Sequence, residues 1–222
     1  MNGAAPPVLP LGEAAWTVAL GDTVNLTLHR RVMDLAERIR AAELSSVIEI
    51  VPAYAAVTVF FDPRAGHADA LRKRLAELAA APPDLPTSRP PVLPVSRLVT
   101  IPVRYDGPDL AHVARATGLT ESEVVRRHAG PEYRVYLLGF APGWAYLGDL
   151  DPGLVLPRRT TPRTRVPAGS VAIGGAQTGV YPLTTPGGWH LIGSTSLRMF
   201  DPAREPAAML RVGDRVRFEP SE

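Results

Sequence analysis

Six prolines fall between positions 81 and 96: Pro82, Pro83, Pro86, Pro90, Pro91 and Pro94. Proline lacks a backbone N–H and fixes φ, so at this density the chain can continue neither a helix nor a central strand. The stretch reads as a semi-rigid linker over residues 85–96, between a smaller domain at residues 1–84 and a larger one at 97–222. A PxxP ligand for another domain is the alternative reading of the same prolines. With 222 residues, 45% of them hydrophobic, the chain is long enough to bury a sizeable core and too apolar for disorder.

The part before the prolines patterns as strand, helix, strand, strand, helix. Residues 16–20 form a short strand closed by Gly21 and Asp22, and Leu28, Val32, Leu35, Ile39 and Ala42 recur as one face of a helix. Two β-branched or aromatic runs, residues 47–51 and 55–61, are parted by Pro52 and Ala53. Ala68, Leu71, Leu75 and Leu78 make a second helix face. The sum is an α+β domain of ferredoxin-like outline.

The part after the prolines is mostly β. Val99, Ile101 and Val103 alternate, and a short helix over residues 109–116 ends at Gly118. Thr120 and Glu123 have capping-box spacing, where each side chain satisfies an orphan N–H at a helix start, and that helix runs to about His128. Strands are expected at residues 133–138, 170–173, 180–183, 189–192 and 216–218, with glycine and proline between them. Short strands punctuated in this way suggest a closed or nearly closed barrel.

Several chemistries are excluded. The chain has no cysteine, which removes disulfides, thiolate nucleophiles, Fe–S clusters and cysteine-ligated zinc, and which fits a reducing cytoplasm as the expected compartment. No run of about 18 apolar residues could span a bilayer. Residues 1–10 lack the basic and apolar regions of a signal peptide, so none is expected. The net charge of +2 is spread among 22 acids, and no basic stripe interleaved with aromatics points to nucleic acid. Lys73 is the only lysine, so no GxxxxGK[ST] phosphate loop exists; GxG and GxSxG are also absent. The five histidines fall into no HxH, HxxxH or HExxH spacing, and no metal site is expected.

Two stretches suggest function. The first runs Gly139-Phe140-Ala141-Pro142-Gly143-Trp144-Ala145-Tyr146-Leu147-Gly148, a loop of unusual dihedrals carrying aromatic rings. It reads either as a barrel-end loop stapled into the core by Phe140, Trp144 and Tyr146, or as a ligand surface. The second holds Arg158, Arg159, Arg163 and Arg165 among Pro157, Pro162 and Pro167, with no acid between them. It is either a solvated loop or a grip for a carboxylate or phosphate. Gln177, within a glycine-rich turn, offers both donor and acceptor. His128 and His190 are the titratable candidates for proton transfer, with a dipole-compensating helix cap as the simpler reading of His128.

The aromatic stretch resembles the GFxPGFxYL motif of the 5-oxoprolinase B-subunit family, also called allophanate hydrolase subunit 1, which includes the sporulation kinase inhibitor KipI. Pro157-Arg158 through Pro162-Arg163 and then Val166 to Val171 look like its PRxxxPRxxVPAGSV block. Gln177-Thr178-Gly179-Val180-Tyr181-Pro182 is similar to its QTGIYP, and Pro186-Gly187-Gly188-Trp189 with Leu191-Ile192-Gly193 to its PGGWxLIG. Phe200-Asp201-Pro202 and Gly213-Asp214-Arg215-Val216-Arg217-Phe218 resemble its closing FDP and GDxVRF. Upstream, Ile101 to Tyr105 resembles IPVCYDG, and Val51-Pro52-Ala53-Tyr54 with Asp62-Pro63 resembles VPAY…DP. This chain departs from the pattern at Arg104, where the family often has cysteine, at Trp144, where it has phenylalanine, and at Ser194 and Ser196, which interrupt a GRTP.

The resemblance implies a cyclophilin-like β-barrel after the small α+β domain, without implying prolyl isomerase activity. It implies a protein that forms its active site with a C-subunit-like (KipA-like) partner, alongside an A-subunit-like protein. The reaction would be ATP-dependent opening of 5-oxoproline to glutamate. ATP would serve the complex without binding this chain alone. In that scheme Arg158 and Arg163 would hold the anionic group of the small cyclic amide. Phe140, Pro142, Tyr146, Gln177 and Tyr181 would shape its pocket, and His128 would orient neighbours or shuttle a proton. Two alternatives share the same barrel and loops: a carboxyltransferase half acting on urea or another small amide with carboxybiotin, and a non-catalytic histidine-kinase inhibitor.

Overall fold

The structure is a computed structural model that describes residues 5–23, 25–81 and 97–222. The expected linker, residues 85–96, lies outside the described residues. The chain divides into two compact units, one within Met1–Val92 and one within Leu93–Glu222.

In the first unit, β1 (Val8–Pro10), β2 (Ala15–Ala19), α1 (Leu26–Ala41), β3 (Val47–Pro52), β4 (Ala56–Phe61) and α2 (Ala68–Ala80) follow one another. Asn25 starts α1 by accepting the Leu28 N–H at 2.8 Å, and Leu28, Val32, Leu35 and Ile39 then bury one face, as their spacing predicts. That face closes a core with Val18, Val57, Val59 and Phe61 of the sheet and Leu71 and Leu75 of α2. The antiparallel sheet has the order β1-β2-β4-β3. Its edge strand β1 comes from the start of the chain, whereas a ferredoxin-like outline takes its last strand from after the second helix. That three-residue strand between prolines carries no alternation that would announce it.

The second unit contains β5 (Leu98–Val103), α3 (Leu110–Thr117), α4 (Glu121–Ala129), β6 (Glu132–Leu138), β7 (Ala145–Gly148), β8 (Arg163–Val166), β9 (Ser170–Gly174), β10 (Gln177–Val180), β11 (Thr185–Gly187), β12 (His190–Ser194) and β13 (Arg215–Pro220). Seven strands form one sheet in the order β12-β9-β10-β7-β6-β13-β5, in which only β13 and β5 run parallel. Its two edges meet: the Arg104 N–H donates to Ser194 O at 2.9 Å and the Ser194 N–H to Arg104 O at 2.8 Å. The sheet is therefore a nearly closed barrel. Val99, Ile101 and Val103 point inward with Tyr133, Val135, Leu147, Ile173, Ile192 and Phe218.

Three strand expectations need correction. The strand placed at residues 180–183 is β10, which ends at Val180, before Pro182 would leave a ladder position without a donor. Part of the glycine-rich aromatic loop is a strand, β7. The ribbon of β8 and β11 carries no strand signal in the sequence, because Arg163–Val166 is half charged and Thr185–Gly187 reads as a turn. Among the described residues no helix is long and apolar enough to cross a membrane.

Candidate functional site

The turn from β6 to β7 is held by its own backbone: Trp144 N–H donates to Ala141 O at 3.0 Å, and Gly139 N–H to Trp144 O at 3.2 Å. Phe140 sits in this turn at φ +70°, a conformation unfavourable for a residue with a Cβ, and stands 64% exposed. Trp144 is buried and forms a hub. Its indole meets Phe140 at 5.7 Å, Tyr146 at 5.7 Å, Tyr181 at 4.7 Å and Trp189 at 5.0 Å between ring centroids, all edge-on. Two glycines make room for the rings. A Cβ on Gly174 would lie 2.7 Å from the Trp189 ring, and one on Gly187 would lie far inside van der Waals contact distance of the Tyr181 hydroxyl.

These rings line a cleft of about 310 Å³ together with Arg158, Arg159, Pro162 and the turn at Pro186–Gly188. The Arg158 guanidinium lies 5.7 Å from the Trp189 ring centroid and makes no ion pair among the described residues. Burial raises the Tyr181 phenol, an effect partly countered by a Trp189 backbone hydrogen bond and the charges of Arg158 and Arg163. The hydroxyl therefore stays protonated at neutral pH. Among the described residues the lining has aromatic surface and guanidinium charge but no carboxylate and no imidazole. It can hold a small, flat, partly apolar molecule by an anionic group, and it offers no general base.

Asp109 fixes the arginine-bearing loop from behind. Standing before α3 without capping it, its buried carboxylate takes Arg163 in two bonds of 2.8 Å, Arg159 at 3.1 Å and the Leu191 N–H at 2.7 Å. Burial acts to raise this carboxyl. The Arg163 hydrogen bonds, the Leu191 N–H and the charges of Arg163 and Arg159 outweigh it and hold the group below the ordinary aspartate range.

Of the residues expected at a site, Phe140, Tyr146, Arg158 and Tyr181 meet at the cleft. Arg163 does not line it, because its guanidinium fork is committed to Asp109. Pro142 is exposed in the turn that presents Phe140, and Gln177 opens β10; neither lines the cleft. His128 is a correction. It is fully buried in the barrel, stacked 4.6 Å from the Phe218 ring centroid, and does not line the cleft. The Thr178 hydroxyl donates to Ala172 O at 3.0 Å, so it accepts from His128 Nε2–H at 2.8 Å, and His128 Nδ1 accepts from the Tyr105 hydroxyl at 2.7 Å. Burial pushes the imidazole down to about 3, so it is neutral and neither compensates the α4 dipole nor shuttles protons at the cleft. Trp189, Arg159 and Asp109 are the residues that sequence reasoning missed. Trp189 and Arg159 lay inside blocks already singled out, while nothing local marked Asp109.

The family model described as "Carboxyltransferase domain, subdomain C and D" matches residues 6–210. The chain is similar to the 5-oxoprolinase B subunit of Escherichia coli O157:H7, at 45% identity over 216 residues that make up 96% of this chain and 94% of the relative. Among solved structures it is similar to TTHA0988, with a TM-score of 0.80 and 42% identity over 94% of this chain. It spans 40% of that longer chain. The urea carboxylase of Kluyveromyces lactis shares the fold, with a TM-score of 0.73 at 18% identity over 100% of this chain and 22% of the other.

Proposed function

Because the chain belongs to the carboxyltransferase-domain family, subdomain C and D, and matches nearly end to end a protein named as the B subunit of 5-oxoprolinase, we propose that it is the B subunit of a 5-oxoprolinase-type complex. In this reading the complex opens the lactam of 5-oxoproline to glutamate with hydrolysis of ATP, because an unstrained amide resists attack until it is activated. A C-subunit-like (KipA-like) protein completes the active site and an A-subunit-like protein accompanies it, in the cytoplasm.

One observation carries the reading: aromatic rings and guanidinium groups line the cleft and, among the described residues, no carboxylate or imidazole does. Its aromatic walls suit the ring of a small cyclic amide, and Arg158 over Trp189 suits its carboxylate. In this reading the reacting groups come from a second polypeptide, because no acid or imidazole lines the cleft among the described residues. ATP is assigned to the partners, since this sequence has no phosphate loop. Phe140, Tyr146 and Tyr181 act as walls, Pro142 stiffens the turn that presents Phe140, and Arg163 and His128 hold the scaffold in place.

The test is glutamate release from 5-oxoproline by the chain together with its two partners. Release is expected only with ATP and all three proteins, and its absence from the complete set overturns the proposal. Arg158→Ala is expected to raise KM and lower kcat/KM about 10- to 100-fold, the loss of one charge-assisted contact. Unchanged kinetics would remove the role given to Arg158.

A carboxyltransferase half using carboxybiotin is the second reading, favoured by the description of the family model and the shared fold with urea carboxylase. Biotin-dependent incorporation of labelled bicarbonate separates it from the first.

A further inference from the structure

On the other side of the Arg158–Arg159 wall lies a second cleft, of about 420 Å³, lined chiefly by His112, His190, Thr160, Thr161 and the same two arginines. Among the described residues no carboxylate lines it. Asp109 is paired with Arg159 and Arg163 but not with Arg158, so positive charge remains uncompensated at this wall. The Thr160 and Thr161 hydroxyls make no hydrogen bond among the described residues, which leaves two donors free at the mouth. His190 is 95% buried and its Nε2–H donates to Pro157 O at 2.9 Å, which pins the start of the arginine loop to β12. Its Nδ1 is buried without a partner, an unmet polar atom that packing alone does not explain. The exposed His112 ring stacks on His190 at 5.3 Å and brings a further polar edge to the cleft.

We infer that this second cleft is a binding site for a small oxyanion of the phosphate or carbonate class. Guanidinium and hydroxyl groups line it without a competing acid among the described residues, and a protonated oxyanion such as hydrogen phosphate or bicarbonate supplies acceptor oxygens for them and an O–H for the lone pair of His190 Nδ1. The site adjoins the aromatic cleft through Arg158 and Arg159 and does not depend on the reaction proposed for that cleft. The two share Arg158, which faces the Trp189 indole on one side and the second cleft on the other.

The experiment uses the full chain, without partners, at low ionic strength. Inorganic phosphate is titrated in while the ring Hε1 signals of His112 and His190 are followed by NMR. Saturable shifts of both signals are expected, with a dissociation constant on the order of millimolar or tighter. A Thr160→Val/Thr161→Val double variant, on an exposed loop that carries no core packing, should weaken binding about tenfold. His112→Gln should weaken it to a similar degree. Titration with bicarbonate tells which oxyanion the cleft prefers, and saturation by either supports the site. Shifts that grow linearly with both salts, or binding that the threonine and histidine variants leave unchanged, overturn it. Because no turnover is measured, failure here leaves the 5-oxoprolinase reading standing, and the converse also holds.

Discussion

His128 illustrates how a residue type associated with catalysis can be confined to structure. Its ring lies among Tyr105, Tyr133 and Phe218, and both nitrogens are already used by neutral partners. Charging it would place a cation in that apolar surround, which is why its folded value falls to about 3. An unfolded histidine titrates near 6.5. Between those values the unfolded chain therefore binds a proton that the folded chain refuses. Above pH 6.5 the contribution to stability is complete and flat; below it, stability falls by up to about 1.4 kcal/mol per pH unit. The low-lying carboxyls of Asp106, Asp109 and Glu123 add to this loss only at more acid pH, near and below 4. Urea-unfolding midpoints measured from pH 6.5 to 5 should decline in the parent chain. The decline should be shallower in His128→Gln, which retains a donor and an acceptor for Thr178 and Tyr105. Identical slopes would mean that the imidazole is not the group being protonated.

Among the elements, α4 is the one whose start is most completely written into neighbouring residues. Thr120 Oγ1 accepts the Glu123 N–H at 3.2 Å while Glu123 Oε2 accepts the Thr120 N–H at 2.9 Å. Thr120→Ala removes one half of this exchange and should cost about 1 kcal/mol, or roughly 3 °C in Tm for a chain of this size. Thr120→Ser should recover most of the loss, and an unaffected Tm in Thr120→Ala would show that packing against the barrel holds the helix without its cap. That box was legible because its parts lie three residues apart, and the apolar face of α1 was legible because helical periodicity repeats it over four turns. The contacts that decide the cleft are not of this kind. Arg163 and Asp109 stand 54 positions apart, so nothing near Arg163 revealed that its charge was already spoken for. His128 sat at a helix end in the sequence, and only the approach of Thr178, 50 positions on, makes it an interior residue. Phe140, Tyr146, Arg158 and Tyr181 were found through short motifs, yet their convergence depends on Gly174 and Gly187 admitting the neighbouring rings.

At the scale of the molecule, each unit closes its own apolar core. Val18, Leu35, Val57 and Leu75 belong to one; Ile101, Tyr133, Ile173 and Phe218 belong to the other. Cooperativity in unfolding follows shared burial, so two cores give each unit the means to melt as its own transition. Scanning calorimetry should then show a calorimetric enthalpy above the van't Hoff value, resolved as two components. Leu75 is fully buried, and Leu75→Ala should destabilise its unit by about 2–5 kcal/mol through lost contacts and the cavity left behind. That change should lower one component and leave the other in place. Acidification from pH 7 to 5 offers the complementary perturbation, because His128 lies in the barrel core. It should lower the component that Leu75→Ala spares. A chain that melts in one transition, moved equally by the core substitution and by acid, would show that the two cores unfold together.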